Sequence, residues 1–361
     1  MIEPAPVKAF SNKKAYALIA GLGVLLALLF TAGYFPNFIE RYYSTGLYQF
    51  IGYVAHSLLG WVPFSLGDLF YFYIISYLLY SLLRCFRKIP RKNFRLLWSE
   101  TLKFIIKLQL FIGLFYLMWG LNYFRPPAAG ILNLPNNTYS SNQLQKVTRL
   151  LIDSTNSLRS SIRRADTLTD NKAIFDISKQ AVQNLGKFSN KLQSTFPSAK
   201  PSLFTPVINY MTTAGYFNPF TGEAQVNYAM PIVDRPITSC HEMAHQIGFA
   251  REDEANFIGF LAGIKSNKKL LRYSAYYMAM QEFMQQVRRQ DTVVFNNFKK
   301  EISPTVKTDL KVEHLYWQHY ENQLGYITSL FYDNFLKANN QPEGLRTYNR
   351  MINLTMAYYS R

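Results

Sequence analysis

Apolar positions along the chain come in two textures. Three near-continuous blocks lie in the first third, at about Tyr16 to Phe35, Leu66 to Leu83 and Phe104 to Leu121. Each is close to the roughly 20 residues a helix needs to cross the hydrocarbon core of a bilayer. Tyr34, Phe35, Trp119, Tyr123 and Phe124 crowd their ends, as suits the interfacial belt. Between the first two blocks, Asn37–Asp68 spaces Ile39, Tyr43, Leu47, Ile51 and Val54 along one helical face, a pattern for a helix lying on the bilayer surface.

After the third block the texture becomes periodic. Residues 125–140, with Pro126, Pro127, Gly130 and Pro135, read as a linker. Ser141–Arg164 and Lys172–Phe196 carry apolar residues at helical spacing, for example Leu144, Val147 and Leu151. A break is expected at Pro197–Pro201 and a strand at Leu203–Thr212. Asn218–Gly222 is a turn signal, and the alternation of Ala224, Val226, Tyr228 and Met230 predicts a second strand over Glu223–Met230. A helix then opens at Asp234-Arg235-Pro236, with Asp234 as cap, and stops near Gly248. Further helices are expected from Arg251 past Leu261, over Lys268–Arg289, His314–Ala338 and Leu345–Tyr359. The predicted whole is mainly α. It comprises a three-helix membrane anchor (1–124), a linker (125–140) and an α+β outer domain (141–361) with a small β-hairpin ahead of one helix.

Charge refines the topology. The chain is strongly basic, at +17. Lys8, Lys13 and Lys14 precede the first block, and Arg84, Arg87, Lys88, Arg91, Lys92 and Arg95 surround the loop between the second and third. Positive residues beside apolar spans mark the cytoplasmic side. The expected topology is therefore a multi-pass inner-membrane protein with a cytoplasmic N-terminus and an extracytoplasmic (periplasmic) C-terminal domain. The bilayer accounts for the basic charge, and no nucleic-acid-binding signature accompanies it. Two cysteines, Cys85 and Cys240, fall on opposite sides of that membrane, so no disulfide is expected.

The chemistry is concentrated at His241-Glu242-Met243-Ala244-His245, an HExxH pattern. Two histidines four apart share a helical face and can bind one zinc ion, with the intervening Glu242 placed to act as a base on water. A catalytic zinc takes a third protein ligand. Arg251 stands where a third histidine sits in the longer HExxHxxGxxH pattern, and arginine cannot ligate. A carboxylate on the following helix is expected instead. Glu254 is the first choice because small Ala255 beside it permits close helix packing. Glu252 is the runner-up, ahead of the distant His314 and His319.

Three groups of residues carry a resemblance. They are Gly215–Asn227, Cys240–Gln246 together with Glu252–Phe257, and the pair Gly120–Tyr123 and Phe335–Asn339. They resemble a family of bacterial membrane proteins, the domain of unknown function numbered 3810, known mainly from Bacteroidetes. That likeness implies a fold and a membrane location, and no substrate. The site also resembles the gluzincin peptidases, which pair HExxH with a downstream Glu, and Glu254-Ala255-Asn256 is similar to the Glu-Ala-Asn of the ImmA/IrrE-type metallopeptidases. In zincin peptidases the strand ahead of the motif helix binds the substrate backbone. By resemblance Gln225, Val226, Asn227 and Tyr228, within Gln225–Met230, would do so here. Tyr228, Tyr216 and Tyr348 are candidate oxyanion donors.

The expectation is a membrane-anchored zinc metallopeptidase acting on a peptide or protein. The alternatives are a zinc hydrolase acting on a non-protein amide such as cell-wall peptide, and a non-catalytic scaffold or sensor with a metal-stabilised outer domain.

Overall fold

The computed structural model describes residues 12–86, 94–135, 138–345 and 350–360. Three helices, Asn12–Ala32, Leu66–Phe86 and Phe94–Met118, contain the three stretches long and apolar enough to cross a membrane, with mean hydropathies of 2.2, 1.5 and 1.6. Much of their apolar surface, including Val24, Leu28, Phe72 and Leu83, is exposed by the chain itself, as lipid-facing side chains are. The first and third run parallel. Ala15 packs with Leu102 and Ile106 at one end, and Phe30 meets Tyr116 edge-on at 4.9 Å at the other. Lys107 Nζ donates to Tyr77 Oη at 2.6 Å, tying the third to the second. The ends near Ala32, Leu66 and Met118 thus share one side, where the rest of the chain gathers.

The segment between the first two spans is helical from Pro36 to Leu59, with a wider π-helical stretch at Ile39–Leu47. Ile39, Tyr43 and Tyr48 face inward, while Phe38, Tyr42, Leu47 and Phe50 face out. Leu47, grouped by its spacing on one face with Ile39 and Tyr43, stands apart from them and is exposed because the π-helical turn shifts the register.

Three strands form one small sheet in the order β1 (Ala199–Pro201), β3 (Glu223–Val226), β2 (Gly215–Asn218). β1 runs parallel to β3, pairing Ala199 with Ala224, and β2 runs antiparallel to it, pairing Gly215 with Val226. A hairpin turns at Asn218–Gly222 as expected, but its first strand is Gly215–Asn218 rather than Leu203–Thr212, and its second ends at Val226, short of Met230. The proline-flanked break holds β1, and the strand expected over Leu203–Thr212 is a short helix, Thr205–Tyr210, opened by Pro206. Proline at a helix start is pre-set in φ and loses no hydrogen bond there. β3 is buried on both faces, so its alternating pattern had no solvent side to report.

Helices Ser141–Ser161, Lys269–Gln290, Glu252–Ile264, Arg235–Gln246 and Met351–Tyr359 share the largest core, around Leu144, Leu151, Phe257, Phe260, Tyr277 and Phe283. The expected helix over His314–Ala338 is two, Pro304–Tyr320 and Gln323–Ala338, because Asn322 accepts from Leu324 N at 2.7 Å and starts a new one. Helix Thr292–Glu301 had no counterpart in the sequence reading.

The stretch expected as a linker contributes side chains to the packing. Ala128, Leu132 and Leu134 belong to the main core, and Arg125 is buried in an ion pair with Glu40. A second core joins Ile39, Tyr43, Tyr48, Tyr116, Trp119, Leu121 and Tyr123 to Ala250, so anchor and outer part share packed side chains. The sheet is docked on the second span. Glu223 accepts from Gly67 N at 2.5 Å and Leu66 N at 3.3 Å, capping that helix, and pairs with buried Lys200 at 2.5 Å. Carboxylates at a helix N-terminus are favoured by its free N–H groups and dipole.

Candidate metal centre

The motif helix runs Arg235–Gln246, as the sequence pattern requires. Asp234 takes the cap position without donating its side chain to the task, and its Oδ2 is buried without a hydrogen-bond partner. Pro236 fixes the first turn. The C-terminal end is held from outside the helix. Trp119 Nε1 donates to His245 O at 3.0 Å, Tyr48 Oη to Gln246 O at 3.0 Å, and Arg125 Nη1 to Gly248 O at 2.8 Å. These donors take up carbonyls that a helix end leaves unpaired. Gly248 has φ +90°, and a Cβ there would come within 3.0 Å of both Arg125 Nη1 and Asn122 Oδ1. Conformation and crowding both require glycine.

The chain turns at Gly248 and enters helix Glu252–Ile264 against the motif helix. Their close approach is at Gly259, where a Cβ would lie 3.2 Å from His241 N. Glu252, Asn256 and Gly259 follow one another at i, i+4 and i+7 and so share the face turned to the motif helix. Glu254, two residues from Glu252, is rotated by about 200° and points away.

That geometry decides the cluster. Among the described residues, the group able to hold a metal is His241, His245 and Glu252. His241 Nε2 and His245 Nε2 are 3.2 Å apart, and Glu252 Oε2 lies 3.2 and 3.7 Å from them. Glu254, the first choice from sequence, is not brought to the histidines. Its Oε1 accepts from Ala128 N at 2.8 Å and faces Arg251 at 3.7 Å. The runner-up Glu252 occupies the place instead, and the small residue that lets the helices meet is Gly259, not Ala255.

Each side chain is oriented by a further partner. His241 Nδ1 lies 2.7 Å from Asn256 Oδ1, and His245 Nδ1 lies 2.7 Å from Phe249 O. Both partners are acceptors, so each Nδ1 carries the proton and each Nε2 lone pair faces the cluster. Tyr332 Oη donates to Glu252 Oε1 at 2.5 Å, leaving Oε2 toward the imidazoles. Trp119 stands edge-on to the His245 ring at 5.8 Å. In the metal-free chain burial raises the Glu252 carboxyl, but the His245 and His241 rings, in their charged form, outweigh it and hold it well below the usual range.

Glu242 lies beside the cluster, buried at 4% exposure. Burial pushes its carboxyl up to about 8, opposed by His241 and reinforced by Glu252. It abuts β2, where a Cβ on Gly215 would come within 2.8 Å of Glu242 Oε1 and of Gln225 O. Cys240 is fully buried, its thiol pushed up to about 12 by burial and its Sγ 3.9 Å from Ser178 O.

The donor set fits zinc. Tetrahedral zinc with bonds of about 2.0–2.1 Å has ligand atoms about 3.3 Å apart, and the three separations here bracket that value. Two neutral imidazoles and a carboxylate, each with an outer partner, are the donors such an ion takes.

The family model described as "Protein of unknown function (DUF3810)" matches residues 43–356. The chain belongs to this family. The match takes in the second and third apolar helices, the sheet and all of the cluster. No curated protein and no solved structure matches the chain.

The other sequence candidates are dispersed. β3 lies between two strands, so Gln225 and Val226 present no free edge. Gln225 is buried, with its amide oxygen accepting from Ser65 Oγ and its nitrogen donating to Glu223 O and Tyr216 O. Asn227 Nδ2 donates to Asn209 Oδ1 at 2.5 Å, a structural contact. Tyr228 is exposed beyond the end of β3. Tyr216 Oη donates to Asp68 Oδ1. His314 and His319 lie on helix Pro304–Tyr320, outside the cluster. Tyr348 and the side chain of Cys85 lie outside the described residues. Sequence reasoning missed Asn256, Tyr332, Trp119, Tyr48 and Arg125. Only Asn256 had a signal, at i+4 from Glu252; the others arrive from distant segments.

Proposed function

We propose that the chain is a membrane-anchored zinc hydrolase, a metallopeptidase in reaction class, with His241, His245 and Glu252 as the metal ligands and Glu242 as the general base. The observation that carries this reading is the convergence of the two Nε2 atoms and Glu252 Oε2 at 3.2–3.7 Å. Zinc held there supplies a Lewis acid for activating water and polarising a carbonyl.

The protein's own groups account for the rest. The Nδ1 contacts of Asn256 and Phe249 O hold the imidazoles in the ligating tautomer. Glu242, adjacent in sequence and outside the ligand set, is placed to take the proton of the attacking water. Substrate backbone has a place at β2 rather than β3, since β2 is an edge of the sheet and its Gly215 abuts Glu242. An edge strand offers free N–H and C=O groups to an extended peptide. The topology read from charge puts this side outside the cytoplasm, in the periplasm.

Glu242→Gln is the test, made on the full chain in detergent with a peptide library as substrate. Zinc content should stay at the wild-type value while cleavage falls by about 10²–10⁴-fold. Zinc in both proteins and cleavage by neither would turn the reading to a metal-stabilised scaffold, and a wild type cleaving only cell-wall amides would redirect the substrate class.

A further inference from the structure

Helix Gln323–Ala338 has an apolar face that no part of the described chain covers. Ile327 and Phe331 are 60% and 72% exposed, and Leu324, Tyr326 and Leu330 extend the patch. Leu324, Ile327 and Phe331 fall on one side, while Leu336 on the other is buried. The ten residues Gln323–Tyr332 carry no charge. In water such a ridge is costly, at roughly 25 cal/mol per Å² of apolar surface.

The C-terminal end of this helix is tied to the third span, and its N-terminal end to the short helix Thr205–Tyr210. Phe335 packs on Phe115 at 6.0 Å, and Tyr116 Oη donates to Asn339 Oδ1 at 2.9 Å. Phe115 and Tyr116 lie within the apolar stretch Leu97–Met118, so the C-terminal end sits at the depth of that span's last turn. At the other end Asn322 Nδ2 donates to Tyr210 O at 2.8 Å. Just ahead of that short helix, Leu203 N donates to Asp68 Oδ2 at the start of the second span. Val207 and Tyr210 are exposed as well and continue the apolar surface.

We propose that Gln323–Ala338 is a lipid-facing helix, seated in the bilayer leaflet on the side of the metal cluster. At 16 residues it falls short of the roughly 20 needed to cross and lies along the surface instead. The occupant of the ridge is lipid because the patch is continuous with the ends of the spans and has no charge to receive a polar partner. The same helix carries Tyr332, whose hydroxyl bonds the ligand Glu252. Its seating in lipid therefore fixes the cluster at the membrane surface.

The test uses the full chain with Cys85→Ala, reconstituted in vesicles of phosphatidylethanolamine and phosphatidylglycerol. Ile327→Cys, Phe331→Cys and, as a reference on exposed Val293, Val293→Cys are each labelled with the environment-sensitive fluorophore NBD; Cys240 is buried and stays unlabelled. Labels at 327 and 331 should emit to the blue of the label at 293. They should lose most of that emission when the lipids carry brominated acyl chains, and the reference should not. Emission at both positions matching the reference overturns the proposal. So does shielding from water without quenching, accompanied by crosslinking between chains at 331, which would put a second copy on the ridge. The readout requires neither zinc nor hydrolysis, so it stands apart from the proposed enzymatic function.

Discussion

At the scale of single residues, the site rests on which side of a helix each acid occupies. Glu252 and Glu254 differ by two positions, and that rotation sends one to the imidazoles and the other to Ala128 N. Glu252→Ala should therefore strip zinc from the full chain, while Glu254→Ala should keep it. Removing only the outer hydrogen bond, as in Tyr332→Phe, should weaken zinc by about 10-fold. Metal analysis and competitive chelator titration of the three variants give the order, and zinc loss with Glu254→Ala alone would reverse the ligand assignment. Glu242 makes a second, pH-linked prediction. Its carboxyl rises from the ordinary 4.5 to about 8 in the folded, metal-free chain. The folded state then holds a proton that the unfolded state has released, so its stabilising contribution is complete below 4.5 and is lost as pH rises toward 8. Thermal unfolding of the metal-free protein in detergent should show wild type losing more stability than Glu242→Gln across that interval.

At the scale of elements, the hairpin and the second span are fastened by one buried ion pair. Lys200 and Glu223 meet at 2.5 Å with 7% and 5% of their side chains exposed, and Glu223 also caps the span at Gly67 N. A buried pair adds little net stability over an apolar substitute, but losing one partner strands the other. Lys200→Ala should cost about 3–5 kcal/mol in unfolding free energy. Lys200→Met with Glu223→Gln should recover part of it, because both charges then leave the interior. Much of this scale was legible in advance. The three apolar helices, the turn at Asn218–Gly222 and the motif helix follow from run length, turn residues and 3.6-residue spacing. The strand expected over Leu203–Thr212 was not, since a short apolar run suits a strand and a buried helix equally until packing chooses.

At the scale of the whole molecule, the apolar helices and the His-His-Glu cluster belong to one packed unit. Trp119, Tyr48 and Arg125 all come from before residue 126 and hold the end of the motif helix. A fragment of residues 138–361 would lose these three donors and the Trp119 ring beside His245. It should bind zinc more weakly than the full chain in detergent by at least the roughly 10–100-fold that outer-shell contacts are worth. Equal affinities in parallel titrations would show that the anchor is dispensable to the centre. Location follows the same logic. With Glu223 on the second span and Trp119 at the end of the third, the cluster sits where the chain leaves the apolar helices, and its substrate would be met there.

The sequence alone determined the features that depend on local order. These are the apolar lengths that make three helices long enough to cross a membrane, the turn of the hairpin, and the four-residue interval that puts His241 and His245 on one face. Tertiary structure decided what depends on which faces meet. Gly259 lets two helices touch on the side of Glu252, so Glu252 rather than Glu254 joins the histidines. β1 pairs with β3, which leaves β2 and not Gln225–Met230 at the edge beside Glu242. Tyr332 reaches Glu252 across 80 positions of chain. No periodicity reports such a contact, because it arises from packing between segments and not from the order of residues within one.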